Sequence, residues 1–202
     1  MVANRLGGVI LAGGSGERLG GSDKPMLEVG GEPLLMRAVR AFGRSPVVLT
    51  GTPRQGFERY EWACEDPPGT GPTAALAAGL TALEATSDCI GLLAADLVGV
   101  SAATMLRLSQ AMRAVDGAVL SDAAGQPQWV ISMWRVAALR AVLPADPSGV
   151  PLRGVLGKLR IAEVPELPGE SADVDTPMDL ARARARHGDR DGSSHCSYRL
   201  WD

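Results

Sequence analysis

The chain has 202 residues, 46% hydrophobic and 21% charged, which is enough for one well-filled core and too little for two ordinary enzymatic domains. Its 20 basic and 23 acidic side chains give a net charge of -3, and no basic block precedes the Arg-rich end, so nucleic acid is not the expected partner. No apolar run approaches the ~18 residues that cross a bilayer. The apolar residues 9–12 are cut at once by glycines and cannot serve as a signal-peptide core, so no membrane partner and a cytoplasmic location are expected. Cys64, Cys89 and Cys196 are odd in number and widely spaced, and the two histidines, His187 and His195, fall near the end. That pattern predicts neither a disulfide framework nor a Cys/His zinc site; Cys64 and Cys89 are expected to be small buried side chains.

In chain order, apolar runs alternate with helical patterns. Residues 9–12 read as a strand, 34–42 as a helix, 47–49 as a strand, 73–83 as a helix, 90–94 as a strand and 102–114 as a helix. This βαβαβα alternation predicts an α/β fold with a mostly parallel sheet, because a buried parallel strand needs a crossover helix to return. In residues 34–42, Leu35, Met36, Val39 and Phe42 recur at helical spacing, giving one face to the sheet. Pro72 suits a first helical turn, and Gly79 inside this helix weighs against its continuity without ending it. Beyond Gly117, residues 118–120 and 128–133 read as strands around a turn, implying a mixed edge to the sheet. A helix over 136–143, a Pro/Gly connection, a helix over 152–159 and a strand over 161–164 follow. Thr176 and Pro177, with Asp179 in the first turn, mark the start of the last helix. Residues 1–187 thus form one domain, and residues 188–202, without periodicity, read as a flexible tail.

Directly after the first strand stands Leu11-Ala12-Gly13-Gly14-Ser15-Gly16-Glu17-Arg18-Leu19-Gly20-Gly21-Ser22-Asp23-Lys24-Pro25. Glycines let successive backbone N–H groups turn toward an anion, and the carboxyl edge of a sheet is where α/β proteins place ligands. A phosphate-bearing ligand is expected. The spacing matches neither common loop: Leu19 stands where a dinucleotide fingerprint needs glycine, and Ser22 where a Walker A loop needs lysine. Lysine occurs only at 24 and 158, so one inside this loop is more than surface decoration; as a compact charge it suits phosphate, with the fork of Arg18 beside it. Asp96 follows the apolar run 90–95 and so ends a predicted parallel strand on the same edge. A hard carboxylate there suits Mg2+, which takes one or two protein carboxylates and completes its shell with phosphate and water. Asp173 or Asp175 could add a contact, unless Asp96 and Asp175 simply cap helices.

The segment LAGGSGERLGGSDKPMLEVGGEPLL resembles the signature of the MobA-type molybdenum cofactor guanylyltransferases, within the glycosyltransferase-A-like nucleotidyltransferases. The resemblance continues through Asp66-Pro67-Pro68-Gly69-Thr70-Gly71-Pro72, Ala94-Ala95-Asp96-Leu97 and Asp173-Val174-Asp175-Thr176-Pro177, and covers roughly residues 7–186. It implies a single-domain, three-layer α/β/α, Rossmann-like nucleotidyltransferase fold. It further implies that Leu11, Ala12, Gly13 and Gly14 meet the nucleotide, that Arg18 and Lys24 hold its phosphates, and that Asp66 helps bind guanine. Asp96, with Asp175 as a second ligand, would hold Mg2+; Arg18, Lys24 and Asp96 would be catalytic. GTP would be the donor and molybdopterin the acceptor, with a molybdoenzyme or cofactor-handling protein as a further partner. Leu97-Val98 stands where the family often has proline, and Asp-Val-Asp where it often has an asparagine pair. The residues leave open a cytidylyltransferase, a sugar-phosphate acceptor and a nucleotide-binding protein without chemistry. Trp129, Trp134 and Arg135 read mainly as strand residues, Arg153 equally as a phosphate contact or a solvated arginine, and Arg182, Arg184 and Arg186 as a solvated face.

Overall fold

A computed structural model describes residues 5–13, 21–83 and 87–188. Three strands lead the fold, each ending at one edge: β1 (Leu6–Leu11), β4 (Val47–Thr50) and β6 (Cys89–Ala94). β1 pairs in parallel with both others. Its side chains alternate, so Val9 enters one apolar cluster and Ile10 the other, both at 0% exposure. A parallel strand buried on both faces must be apolar throughout, and that is the run the sequence shows.

The remaining strands are the hairpin β2 (Glu28–Val29) and β3 (Glu32–Pro33), the short β5 (Glu61–Ala63), β7 (Gly117–Ser121), β8 (Pro127–Arg135) and β9 (Ile161–Pro165). The main sheet has seven strands in the order β5-β4-β1-β6-β8-β7-β9. β8 runs antiparallel to β6 and β7, while β9 rejoins β7 in parallel. The mixed pairing expected from residues 118–133 is therefore present, in the interior of the sheet rather than at its edge. Trp134 on β8 is fully buried, and its indole N–H donates to the Ser132 hydroxyl at 2.7 Å, which satisfies the polar end of a side chain otherwise worth burying.

Helices cover both faces. α1 (Leu34–Arg40) and α3 (Ala102–Ala111) lie on one side with Leu35, Val39, Met105 and Leu108. α2 (Pro72–Leu83), α4 (Val136–Val142) and α5 (Leu152–Leu156) lie on the other with Leu76, Leu80, Leu139 and Leu156. This is the expected three-layer α/β fold. α2 runs unbroken through Gly79, as the helix read over 73–83 requires, and a Cβ at that position would stand 2.7 Å from Val9 Cγ1. The glycine lets the helix approach β1, and packing outweighs its propensity cost of roughly 1 kcal/mol. α6 (Pro177–His187) starts as its sequence predicts: Thr176 is the N-cap, its hydroxyl accepts from the Asp179 N–H, and its own N–H donates to the Asp179 carboxylate in a capping box. Gly188, the first residue of the expected tail, closes α6 with φ 75°; residues 189–202 lie outside the described residues. No described helix is long and apolar enough to cross a membrane.

Candidate active site

The chain leaves β1 for β4 and β5 on one side and returns to β6 on the other. The direction of winding reverses between β1 and β6, and a crevice opens beyond the carboxyl ends of strands at such a point. Leu11 and Asp96 sit at its two lips. The Ala95 N–H donates to the Leu11 carbonyl at 2.9 Å, so Asp96 follows directly on the residue hydrogen-bonded to the end of β1. Ala12 is tied on the other side, donating its N–H to the Thr50 carbonyl at 3.0 Å. Leu11, Ala12 and Gly13 thus begin the glycine-rich segment at the crevice; Gly14 and Arg18, both assigned from sequence, lie outside the described residues.

Lys24 enters from a 3-10 turn, Lys24–Met26, anchored by the buried Pro25. Its side chain is only 18% exposed, and Nζ donates to Asp175 Oδ1 at 2.5 Å. Asp175 arrives on the segment before α6, where Val174 is fully buried. Because alternate residues of an extended chain face the same way, burial of Val174 turns Asp173 and Asp175 together toward the site. That segment is stitched to the end of β6: Leu97 and Asp173 form an isolated antiparallel bridge, and the Val174 N–H donates to the Asp96 carbonyl at 3.1 Å. Neither aspartate is a cap, since Ser101 caps α3 and Thr176 caps α6.

The electrostatics follow from this crowding. Burial pushes the Asp96 carboxyl above the ordinary aspartate range, and the Asp173 charge raises it further, with Lys24 opposing. Asp173 is raised in the same way, by desolvation first and then by Asp175, although solvent still reaches its side chain. One lysine among three carboxylates leaves a net negative site. An excess of hard oxygen donors beside a single cation is the donor chemistry of a Mg2+ site completed by phosphate oxygens, so these residues fit that ion. Asp173 perturbs Asp96 more than Asp175 does; Asp175, assigned from sequence as the second ligand, is engaged by Lys24. Among the described residues no three His, Cys, Asp or Glu side chains form a ready cage.

Two hydrogen-bonded clusters that the sequence reading missed hold this arrangement. Glu170, 6% exposed, accepts from the Thr104 hydroxyl at 2.6 Å, Arg107 Nη1 at 2.6 Å and the Leu167 N–H at 2.7 Å. It therefore pins α3 to the loop that delivers Asp173. On the other flank, Arg54 joins Asp23 and the Ala12 carbonyl. Neither carried a signal in sequence, because Thr104 and Arg107 lie more than 60 residues from Glu170, and Asp23 and Ala12 lie 31 and 42 residues from Arg54.

The other assigned residues are spread out. Asp66 is exposed after β5 and lines a separate groove of about 360 Å3 with Glu65, Ala74 and Asp146. Cys64, at the same groove, is exposed rather than buried as expected, since β5 is an edge strand; Cys89 is buried. Arg135 donates to the Val115 and Met112 carbonyls and is structural. Arg153 is exposed on α5, and Arg184 donates to the Glu28 carbonyl. Arg182 and Arg186 face a groove of about 550 Å3 that Asp173 also lines.

The fold and the edge site define a nucleotidyltransferase, and the comparisons agree. The family model described as MobA-like NTP transferase domain matches residues 8–163, and the chain belongs to that family. The chain is 32% identical over 200 residues to a protein of Opitutus terrae named probable molybdenum cofactor guanylyltransferase, covering 92% of this chain and 98% of that protein. Two solved structures share its fold. Molybdopterin-guanine dinucleotide biosynthesis protein A from Archaeoglobus fulgidus superposes with a TM-score of 0.68 at 18% identity, covering 91% of this chain and all of that one (100%). A nucleotidyl transferase from Methanothermobacter gives 0.73 at 21%, covering 92% and 98%.

Proposed function

We propose that the chain transfers GMP from GTP to the phosphate of molybdopterin, forming molybdopterin guanine dinucleotide and releasing pyrophosphate. The observation that carries the reading is the convergence of Lys24, Asp96, Asp173 and Asp175 beside the glycine-rich segment at the crevice between β1 and β6. The name of the Opitutus relative supplies the nucleotide and the acceptor.

A phosphate monoester acceptor has its second pKa near 6 and is mostly ionised at neutral pH, so it needs no general base. What the protein must do is align two anions in line and offset their charge. Lys24 stands in reach of incoming phosphate and exchanges Asp175 for it, a charge-assisted contact in a partly desolvated place. Leu11, Ala12, Gly13, Gly14 and Arg18 approach the nucleotide, and Asp66 on its groove meets the base. Asp96 and Asp173 would hold Mg2+, with Asp175 steadying Lys24, and the chemistry the ion would supply there is neutralisation of charge on the phosphate oxygens. The groove along Arg182 and Arg186, which shares Asp173, gives an anionic second substrate room beside the carboxylates. A cytoplasmic location accords with these soluble substrates, and a cofactor-handling protein is the expected supplier and recipient.

The test is product identity. Protein, Mg2+, molybdopterin and an equal mixture of GTP and CTP should yield the guanine dinucleotide by mass; the cytosine product instead would assign the sister activity, and no dinucleotide would reject the acceptor.

A further inference from the structure

The structure divides the three arginines of α6 that the sequence groups as one solvated face. A helix turns about 100° per residue, so Arg182 and Arg186 share a side and Arg184 stands nearly opposite. Ala183, 6% exposed, packs with Val98 and Val174 and seats the helix between its two flanks. On one flank the Arg184 Nε donates to the Glu28 carbonyl at 3.1 Å. On the other, Arg182, Arg186 and His187 line the groove of about 550 Å3 together with Leu167, Gly169 and Asp173.

The basic charge of this groove is not cancelled from within. Glu170 is engaged by Arg107, the Thr104 hydroxyl and the Leu167 N–H, and the Asp179 carboxylate by the N–H and hydroxyl of Thr176. Arg182 pairs with Asp179 at 3.9 Å and its side chain is 67% exposed. Arg186 forms no ion pair among the described residues, and its Nη1 lies over Gly169, 3.2 Å from where a Cβ would stand. Val98, Leu167 and Ala183 make the lining between these groups apolar. A rise of about 1.5 Å per residue places Arg186 roughly 13 Å beyond the start of α6 at Pro177, and Asp173 precedes that start.

We propose that Arg182 and Arg186 are specificity-determining residues that hold an anionic group of the second substrate remote from its reacting phosphate. The proposal rests on the nucleotide-transfer reading and deepens it by naming the side chains that select the acceptor. Molybdopterin has the required layout, a fused ring system with the phosphate at one end and a dithiolate at the other. With its phosphate beside Lys24 and Asp173, the rings lie on the apolar lining and the dithiolate end meets the two guanidinium groups. Arginine suits that task because it stays charged and offers several donors in one plane.

The test reads binding and transfer separately in the full chain. Molybdopterin affinity is measured by equilibrium dialysis without nucleotide, GTP affinity with Mg2+, and dinucleotide formation with both substrates. The native chain is compared with the double variant Arg182→Gln, Arg186→Gln and with Arg184→Gln; glutamine keeps helix propensity and removes the charge. The double variant should bind molybdopterin roughly tenfold to a hundredfold more weakly, the range for charge-assisted bonds, with GTP affinity unchanged. Its KM for the acceptor should rise with kcat retained, as when binding is lost equally from ground and transition states. Added salt should weaken molybdopterin binding in the native chain and much less in the double variant, because screening acts on the charges removed; a merely structural role would not show this. Arg184→Gln, outside the groove, should match the native chain. Native affinity in the double variant, or an equal loss in Arg184→Gln, would overturn the assignment, as would a native chain that binds no molybdopterin. Dinucleotide formed by the double variant at the native acceptor KM rejects the arginine pair and leaves transfer standing. Arginine-dependent binding with no dinucleotide rejects transfer and leaves the pair standing.

Discussion

Lys24 and Asp96 stand out in the sequence as candidates because each is anomalous locally: a rare lysine in a glycine loop, and a carboxylate at the end of an apolar strand. Asp173 and Asp175 do not separate in this way, since residues two apart on an extended segment share a face. What separates them is the bridge of Asp173 to Leu97 and the ion pair of Asp175 with Lys24. Replacing Lys24 with alanine should lower turnover by about 10²- to 10³-fold, the usual loss for one donor aimed at developing charge. Asp96→Asn should raise the Mg2+ concentration that gives half the maximal rate, measured by titrating the ion at fixed GTP. Glu170 supplies a separate test through pH. Burial raises its carboxyl, but the Leu167 N–H, the Thr104 hydroxyl and Arg107 outweigh that and hold it below the ordinary glutamate value. A depressed folded pKa contributes stability that is fully present above the unfolded value of about 4.3 and is lost as pH falls through the folded one. Thermal midpoints measured from pH 7 downward should therefore decline more steeply below about pH 4.3 in the native chain than in Glu170→Gln.

At the scale of elements, long periodic segments were legible and short ones were not. α1 declared itself by helical spacing of its apolar residues, α6 by its Thr-Pro start with Asp179 in the first turn, and β1, β4 and β6 as apolar runs. β5 has three residues with an exposed and half-buried pattern, and β2 and β3 have two each, too few to show any. Gly79 shows packing outweighing propensity: local preference weighs against a glycine inside the helix, and the close approach to Val9 calls for one. Gly99 has the same logic at the active site. A Cβ there would fall 1.9 Å from the Gly169 carbonyl oxygen, so Gly99→Ala must push the 167–173 loop away from the end of β6. The expected cost is about 1–3 kcal/mol, the usual range for overpacking, read as a lower thermal midpoint, together with weaker Mg2+ dependence because Asp173 rides on that loop. A variant as stable and as active as the native chain would remove the loop's role in placing Asp173.

For the whole molecule, the reversal of winding between β1 and β6 sets where the candidate site lies. It brings residues from positions 11, 24, 96 and 173–175 to one crevice, and a sequence reading could anticipate the edge but not which distant side chains would meet there. The Glu170 cluster on one flank and Arg54 on the other hold the two loops that carry these groups. The central claim is that this crevice transfers a nucleotidyl group with Lys24 offsetting phosphate charge. Pyrophosphate release from GTP, with Mg2+ and with or without molybdopterin, measured for the native chain and Lys24→Ala, tests it most directly. The account predicts release that requires the acceptor and nearly vanishes in the variant. Equal rates in the two proteins, or release indifferent to the acceptor, would contradict it.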